Sequence, residues 1–294
     1  MSSFLEGAID CHIHIGPDDS PRYSSSIQLA REAAARGMRA IVVKDHLAPS
    51  AQKAALTREV VPEILTFGGI SLNQTVGGLN PRAVVSMLKT GGKYIWMPTV
   101  DAQYCIDKGR KGHWIKEYLE KKSFGFSVPG ISVLKDGSAA TLRPEAMDVL
   151  KVAADYGAVV SSGHVSPQET LALADGSIKA GLKRFTVCHP NAWLEDFTMD
   201  ILEQLVKAGA FLELSLGACS PLHGRQDPRE IAAVIKRVGA SHCVMMTDYG
   251  QVETPSPVEG MRVYCELMLK CGVSREDIHL MTRDNPAYLL GLEE

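Results

Sequence analysis

Eight short apolar runs alternate with amphipathic stretches along nearly the whole of this 294-residue chain. That alternation limits the fold more than any other feature. The runs cover residues 8–15, 38–46, 64–72, 93–101, 158–165, 184–190, 210–216 and 242–250. Helical stretches lie between most of them, among them SSIQLAREAAARG, NPRAVVSMLKTGG, RPEAMDVLKVAADYGA, SPQETLALADGSIKAG and TMDILEQLVKAGA. Asn80-Pro81 and Ser166-Pro167 each read as an N-cap followed by proline at the first helical position. Ser166 with Glu169 fits a capping box. Gly37, Gly91, Gly157 and Gly181 fall just past helix ends, where a left-handed residue is wanted. Eight strand–helix units predict an α/β fold, a distorted (β/α)8 TIM barrel. An open doubly wound sheet is the rival. No G-x-G-x-x-G follows the first run, so its dinucleotide-binding form loses support.

One region breaks the alternation. Residues 102–142 insert between strands four and five, with a short helix and then GFSVPGISVLKDGS, which reads either as an extra strand or as a loop over the barrel mouth. No repeat, low-complexity tract or linker divides the chain, so residues 1–294 read as one domain. A hydrophobic content of 45% suffices for a large core, and a net charge of −3 offers no nucleic-acid footprint. No apolar run approaches the ~20 residues of a membrane helix. The start, MSSFLEGA, has no basic segment followed by an apolar one, which argues against a secretory signal. The seven cysteines are scattered without C-x-x-C pairs and read as reduced thiols of a cytoplasmic protein.

The first run, AIDCHIHIG, carries the chemical question. Strict alternation would put Ile9, Cys11, Ile13 and Ile15 on one face and Asp10, His12 and His14 on the other. Buried polar groups are costly without partners, so that second face must meet water, a polar network or a metal. Barrels of this kind do their chemistry at the C-terminal ends of the strands. Polar residues gather at those ends: Lys44, Asp45 and His46 on strand two, Thr99 and Asp101 on strand four, His164 on five, His189 on six and Asp248 on eight. Neutral imidazoles bind zinc or a similar divalent ion through one nitrogen. A carboxylate beside the bound water can take its proton and pass it on.

The ordered set resembles the amidohydrolase superfamily of metal-dependent hydrolases. The matching residues are the H-x-H of DCHIH, His164 in SSGHVS, His189 in VCHPN and Asp248 in MMTDYG, on strands one, five, six and eight. The terminal RDNPAYLLGL resembles the closing helix of many such enzymes. The resemblance implies one or two divalent ions, zinc favoured, with manganese or iron as alternatives. His12, His14, His164, His189 and Asp248 would be the candidate ligands, and Asp248 the proton shuttle. Either one ion sits on His12, His14, His164 and Asp248, with His189 binding substrate, or two ions are bridged by a modified Lys44 or by water. It also implies a small polar substrate with a hydrolysable C–N or C–O bond, a cyclic amide or lactone favoured, and a homo-oligomer. Two-metal relatives often carry a carboxylated lysine on strand four; here that strand reads MPTVDA. Lys44 is the nearest inward candidate for that catalytic role, or pairs with an acid such as Asp101.

His46, Asp101 and Asn73 are candidate substrate contacts, although Asn73 could equally shape a turn. Glu213 reads as an internal salt link and Trp96 as packing. His113, His223, His242 and His279 carry no assigned role. Arg22, Lys44 and Lys135 are basic residues that could receive a substrate carboxylate. DCHIH with VVKDH also resembles the first two motifs of the PHP phosphoesterases, which would make His46 a ligand. That match stops halfway, because strand three offers no glutamate and the late motif is Asp248-Tyr249-Gly250. A metal-dependent decarboxylase of the same superfamily, and a barrel that keeps its metal for structure or sensing, are the remaining readings.

Overall fold

The computed structural model describes residues 4–113, 115–122 and 129–293. Eight parallel strands form one sheet in chain order: β1 (Ile9–His14), β2 (Ala40–Lys44), β3 (Leu65–Ser71), β4 (Tyr94–Trp96), β5 (Val159–Ser161), β6 (Phe185–Cys188), β7 (Phe211–Ser215) and β8 (Cys243–Met246). Each falls inside one of the eight apolar runs, and helices fill the connections, as in a (β/α)8 barrel. Caps stand where local chemistry places them. Asn80 accepts from the backbone of Arg82 and Ala83, and Ser166 with Glu169 closes a capping box. Backbone bonds from Asp248 N to His12 O (2.9 Å) and from His14 N to Tyr249 O (2.8 Å) join the segment after β8 to β1 and close the barrel.

The strands sort their side chains into two apolar clusters. Ile41, Val43, Ile70, Ile95, Val160, Val187, Leu212 and Met245 pack outward in the same cluster as the helices. Ile9, Cys11, Ala40, Val42, Phe67, Tyr94, Trp96, Val159, Cys188, Phe211 and Val244 fill the interior. Ala287, Leu289 and Leu290 of the closing helix Asn285–Leu290 join this inner cluster. Arg184 Nε holds that helix end through Tyr288 O at 2.9 Å, and Arg39 Nη2 through Leu292 O at 2.6 Å.

On β1 the alternation expected from sequence fails. Its register against β2 slips between Asp10 and Ile13: Asp10 pairs with Ile41, yet Ile13 pairs with Val43 and His14 with Lys44. Two residues of β1 thus face one of β2, which reverses the side-chain sense. Ile9 and Cys11 belong to the interior, while Ile13 and Ile15 pack outside. Asp10 is left on the outer side with Ile41 and does not share a face with His12 and His14. It fastens the seam instead. Its carboxylate accepts from His12 N (3.2 Å), Thr247 N (3.2 Å) and Thr247 Oγ1 (2.5 Å).

The insertion provides two helices, Gln103–Arg110 and Ile115–Lys122. Beyond them the described residues make isolated bridges, Ala102 to Ile131 and Leu134 to Leu142, rather than a further strand. Residues 125–128 of GFSVPGISVLKDGS lie outside the described residues.

Substitutions at two positions test the seam. Asp10→Ala strands three buried donors and is expected to destabilise by at least ~2 kcal/mol, since an unmade buried hydrogen bond costs ~1–3 kcal/mol. Asp10→Asn, which keeps an acceptor, should cost less; equal losses in urea denaturation would refute the clamp. At Gly250 (φ +128°) an added Cβ would stand 1.8 Å from His14 O. Gly250→Ala should therefore cost more than ~2 kcal/mol, combining overlap with left-handed strain.

Candidate metal centre at the barrel mouth

Five histidines from four strand ends, those of β1, β2, β5 and β6, meet in one cluster. The His12 and His14 rings are 5.5 Å apart, His14 stacks on His46 at 5.0 Å, His46 meets His164 edge-on at 5.8 Å, and His164 lies 4.8 Å from His189, which is 5.9 Å from His12. All five are buried. Asp248 closes the set: its Oδ1 is 3.2 Å from both His12 Nε2 and His14 Nε2. Ligands held tetrahedrally at about 2.0–2.1 Å from a zinc ion stand about 3.3 Å apart. The spacing from carboxylate to each imidazole fits such an ion, as does the 3.1 Å between His164 Nε2 and His189 Nε2. His12 Nδ1 and Nε2 make no hydrogen bond among the described residues.

Two strained residues aim these groups. His189 (φ 28°) and Asp248 (φ 57°) are non-glycine residues in left-handed backbone, a conformation that costs of order 1–3 kcal/mol. At His189 the turn brings imidazole and the preceding thiol together: ligand atoms of His164, Cys188 and His189 lie within 4.8 Å of one another. His164 is placed by Gly163, whose missing Cβ would sit 2.3 Å from Met97 O. His164 N then donates to Pro98 O at 2.9 Å.

Electrostatics suit cation binding. Burial pushes His14 and His189 down to about 4 and lowers His12 and His164 well below the usual imidazole range, so the rings are neutral at pH 7. Burial alone would raise Asp248, but His12, the hydrogen bond from His14 and then His189 outweigh it and keep its carboxyl well below its ordinary value. Beneath the histidines, Glu213 accepts from Tyr94 OH (2.5 Å), Thr186 Oγ1 (2.6 Å) and Ser161 Oγ (3.2 Å). It is tied by three hydroxyls rather than by the salt link expected from sequence.

A cleft enclosing about 430 Å³ opens over this cluster. His14, His46, His164, His189, Asp248 and Lys44 form its floor. Lys44 is fully buried, hydrogen-bonds to no atom of the described residues and lies 5.3 Å from the Trp96 ring centroid. It does not pair with Asp101, whose Oδ2 accepts from Gln74 N at 2.8 Å. Asp101 and Asn73 do not line the cleft. Asn73 wires its rim: Nδ2 donates to His46 O and Thr99 Oγ1, both at 2.7 Å, and Oδ1 accepts from Thr99 N at 2.8 Å. Thr99 Oγ1 in turn lies 2.8 Å from His46 Nδ1. Lys135 is exposed, and Arg22 spends its guanidinium on Asp18 and Tyr118.

Sequence reasoning missed several walls of this cleft. Ile115 and Tyr118 come from the insertion, and His223, Ala218 and Gln251 from loops after β7 and β8. Only their fold position reveals them. Cys188 is hidden by its apolar strand, and Trp193 by lying in the turn that follows the strand end. The clue to Trp193 is its spacing, four residues after His189 across a proline.

No curated protein is similar to the chain in sequence. Among solved structures it is similar to an amidohydrolase from Pseudomonas aeruginosa, with a TM-score of 0.61 at 11% identity over 98% of this chain and 97% of that one. A candidate 2-pyrone-4,6-dicarboxylic acid hydrolase from Pseudomonas putida gives 0.59 at 14% identity over 98% of each chain. Organophosphorus hydrolase from Deinococcus radiodurans gives 0.56 at 13% identity over 97% and 92%. At such identities the likeness establishes the shared barrel fold. One sequence family matches residues 7–213, a span holding every histidine of the cluster and stopping short of Asp248. The chain belongs to that family, the family of unknown function DUF6282.

Proposed function

We propose that this protein is a metal-dependent hydrolase of small polar molecules, built on the amidohydrolase plan. The observation that carries the reading is the convergence of His12 Nε2 and His14 Nε2 on one oxygen of Asp248, each at 3.2 Å, at the floor of a cleft. These three residues would hold a divalent ion, zinc, manganese or iron, with His164 and His189 beside it. Such an ion supplies Lewis acidity and a more acidic water. Asp248 remains ionised and faces the cleft, so it can take a proton there and return it to a leaving nitrogen or oxygen. The buried Lys44 draws an anionic group of the substrate, such as a carboxylate, against the floor. A cleft of about 430 Å³ suits a cyclic amide or lactone rather than a polymer.

Metal analysis comes first. The purified protein should hold a divalent ion, and His12→Ala or His14→Ala should lose it. Activity on a panel of lactams, hydantoins and lactones should vanish with a chelator and return with metal. Asp248→Asn should lower kcat at least ~100-fold, the usual scale of acid–base catalysis. Carbon dioxide release without hydrolysis would move the reading to a decarboxylase, and turnover limited to phosphomonoesters to a PHP-type enzyme. Lys44→Met separates function from stability. Removing an unpaired buried polar group should stabilise the metal-free fold by ~1–3 kcal/mol while raising KM for anionic substrates. Destabilisation with unchanged KM would contradict the substrate role.

A further inference from the structure

The chain turns sharply after β8, and that turn delivers Gln251 to the wall of the cleft. Asp248 is left-handed, and Gly250 carries the backbone over His14 O, where a side chain would not fit. The loop is then tied down on both sides. Tyr23 N donates to Gly250 O at 2.8 Å, and Arg22 forms an antiparallel bridge with Gln251. Gln251 O accepts from Thr254 N (3.2 Å) and Thr254 Oγ1 (2.9 Å). With its backbone so held, the Gln251 side chain folds back, and its Nε2 donates to Asp248 O at 3.3 Å. A backbone carbonyl only accepts, which fixes the sense of the amide: nitrogen meets Asp248, and Oε1 is the end left over. Oε1 is buried and accepts no hydrogen bond among the described residues. The residues lining the cleft carry two further buried atoms in that condition, Lys44 Nζ and His14 Nδ1. Of the three, only Gln251 Oε1 is confined to accepting.

A buried acceptor left unmet is destabilising, and the guest that meets it must bring a donor. The anchor of the amide says where on the guest that donor lies. It is the carbonyl of Asp248, the residue that returns a proton to the leaving atom. We propose that Gln251 selects the leaving atom: Oε1 accepts the N–H of a cyclic amide at the bond to be broken, so the substrate is a lactam or cyclic ureide rather than a lactone. The proposal rests on the metal-hydrolase reading above and narrows its substrate. A lactone brings a ring oxygen with lone pairs to that place, and two acceptors facing each other repel. A ring nitrogen brings its hydrogen. Hydrolysis puts the hydroxyl of water on the carbonyl carbon and the remaining proton, by way of Asp248, on the nitrogen as the C–N bond breaks. With the N–H held by Gln251, the lone pair that forms on nitrogen is left for that proton. Lys44 takes a carboxylate elsewhere on the same ring.

The test uses matched probes: pyroglutamate, its N-methyl derivative and the γ-lactone bearing the same carboxylate, with the six-membered counterpart of each. Binding is measured by calorimetry on the protein as purified, and hydrolysis after zinc loading, for wild type and Gln251→Leu. In the wild type the N–H amide should bind roughly 10- to 100-fold more tightly than its N-methyl and lactone partners, the scale of one buried hydrogen bond. Gln251→Leu should lose that preference while holding the same zinc. Equal or weaker binding of the N–H amide, or a preference that survives Gln251→Leu, overturns the proposal. If the amides bind with the Gln251-dependent preference but none is hydrolysed, the hydrolase reading fails and the Gln251 assignment stands. If lactones are hydrolysed and amides are left intact, the assignment fails and the hydrolase reading stands. If no ring amide binds, the assignment falls as well. Should Gln251→Leu fail to fold, the wild-type ranking of the N–H probes against the N-methyl and lactone probes decides the question alone.

Discussion

The centre depends on a one-residue slip in β1. Without it, the period-two alternation of a strand would carry Asp10 into the barrel along with His12 and His14. The slip between Asp10 and Ile13 separates these roles. Above it, both imidazoles turn inward against His46, His189 and Asp248. Below it, the carboxylate stays outside and bonds Thr247. One irregularity therefore supplies the two metal-facing rings and also secures β8, whose continuation carries Asp248. The two halves of the candidate tripod are positioned relative to each other through that seam.

The interior above the inner apolar cluster is a layer of polar groups that no folding argument would favour. Five imidazoles, a glutamate and a lysine are buried together. The glutamate is fully met by three hydroxyls, so it costs little beyond its own desolvation. His12 and Lys44 are different, with buried nitrogens that find no hydrogen-bond partner among the described residues. Leaving such groups unmet costs of order 1–3 kcal/mol each. A protein keeps this arrangement only where something outside the chain repays it, and a cation for the imidazoles and an anion for the lysine are complementary guests. The same burial keeps the imidazoles neutral, hence able to donate lone pairs.

Much of this was legible in sequence, for physical reasons. All eight strands, their parallel order and the helices between them follow from apolar periodicity and from caps such as Asn80 and Ser166. The gathering of His12, His14, His164, His189 and Asp248 follows from the fold, because strand ends of a barrel share one mouth. The β1 slip was not legible, since residues 8–15 alternate without interruption and a bulge leaves no mark on that pattern. Asn73 read as a substrate contact or a turn residue, because its use in wiring Thr99 to His46 needs three loops to be placed first. His223 and Tyr118 reach the cleft from a loop and an insertion, where no periodicity reports a facing direction. Cys188 and His189 are adjacent, and adjacent strand residues point oppositely. Only the left-handed backbone at His189 brings them to one side.

That backbone is where fold and chemistry meet. Both positive-φ residues of the centre, His189 and Asp248, stand just past the end of a strand, β6 and β8. An unstrained strand end would send each side chain along the pleat. Turning the chain left-handed costs free energy but redirects the group across the mouth. The cost is met locally. At Asp248 the amide is bound to His12 O, while Gly250 lets the following loop cross His14 O. At His189 the carbonyl accepts from Ala192 N at 2.9 Å, and the ring is fixed by Trp193. Glycine at either position would relieve the strain and forfeit the functional group. Strain retained at two chemically capable residues, facing each other over a cleft, is more specific to a site than the histidines alone, which packing could otherwise absorb one by one.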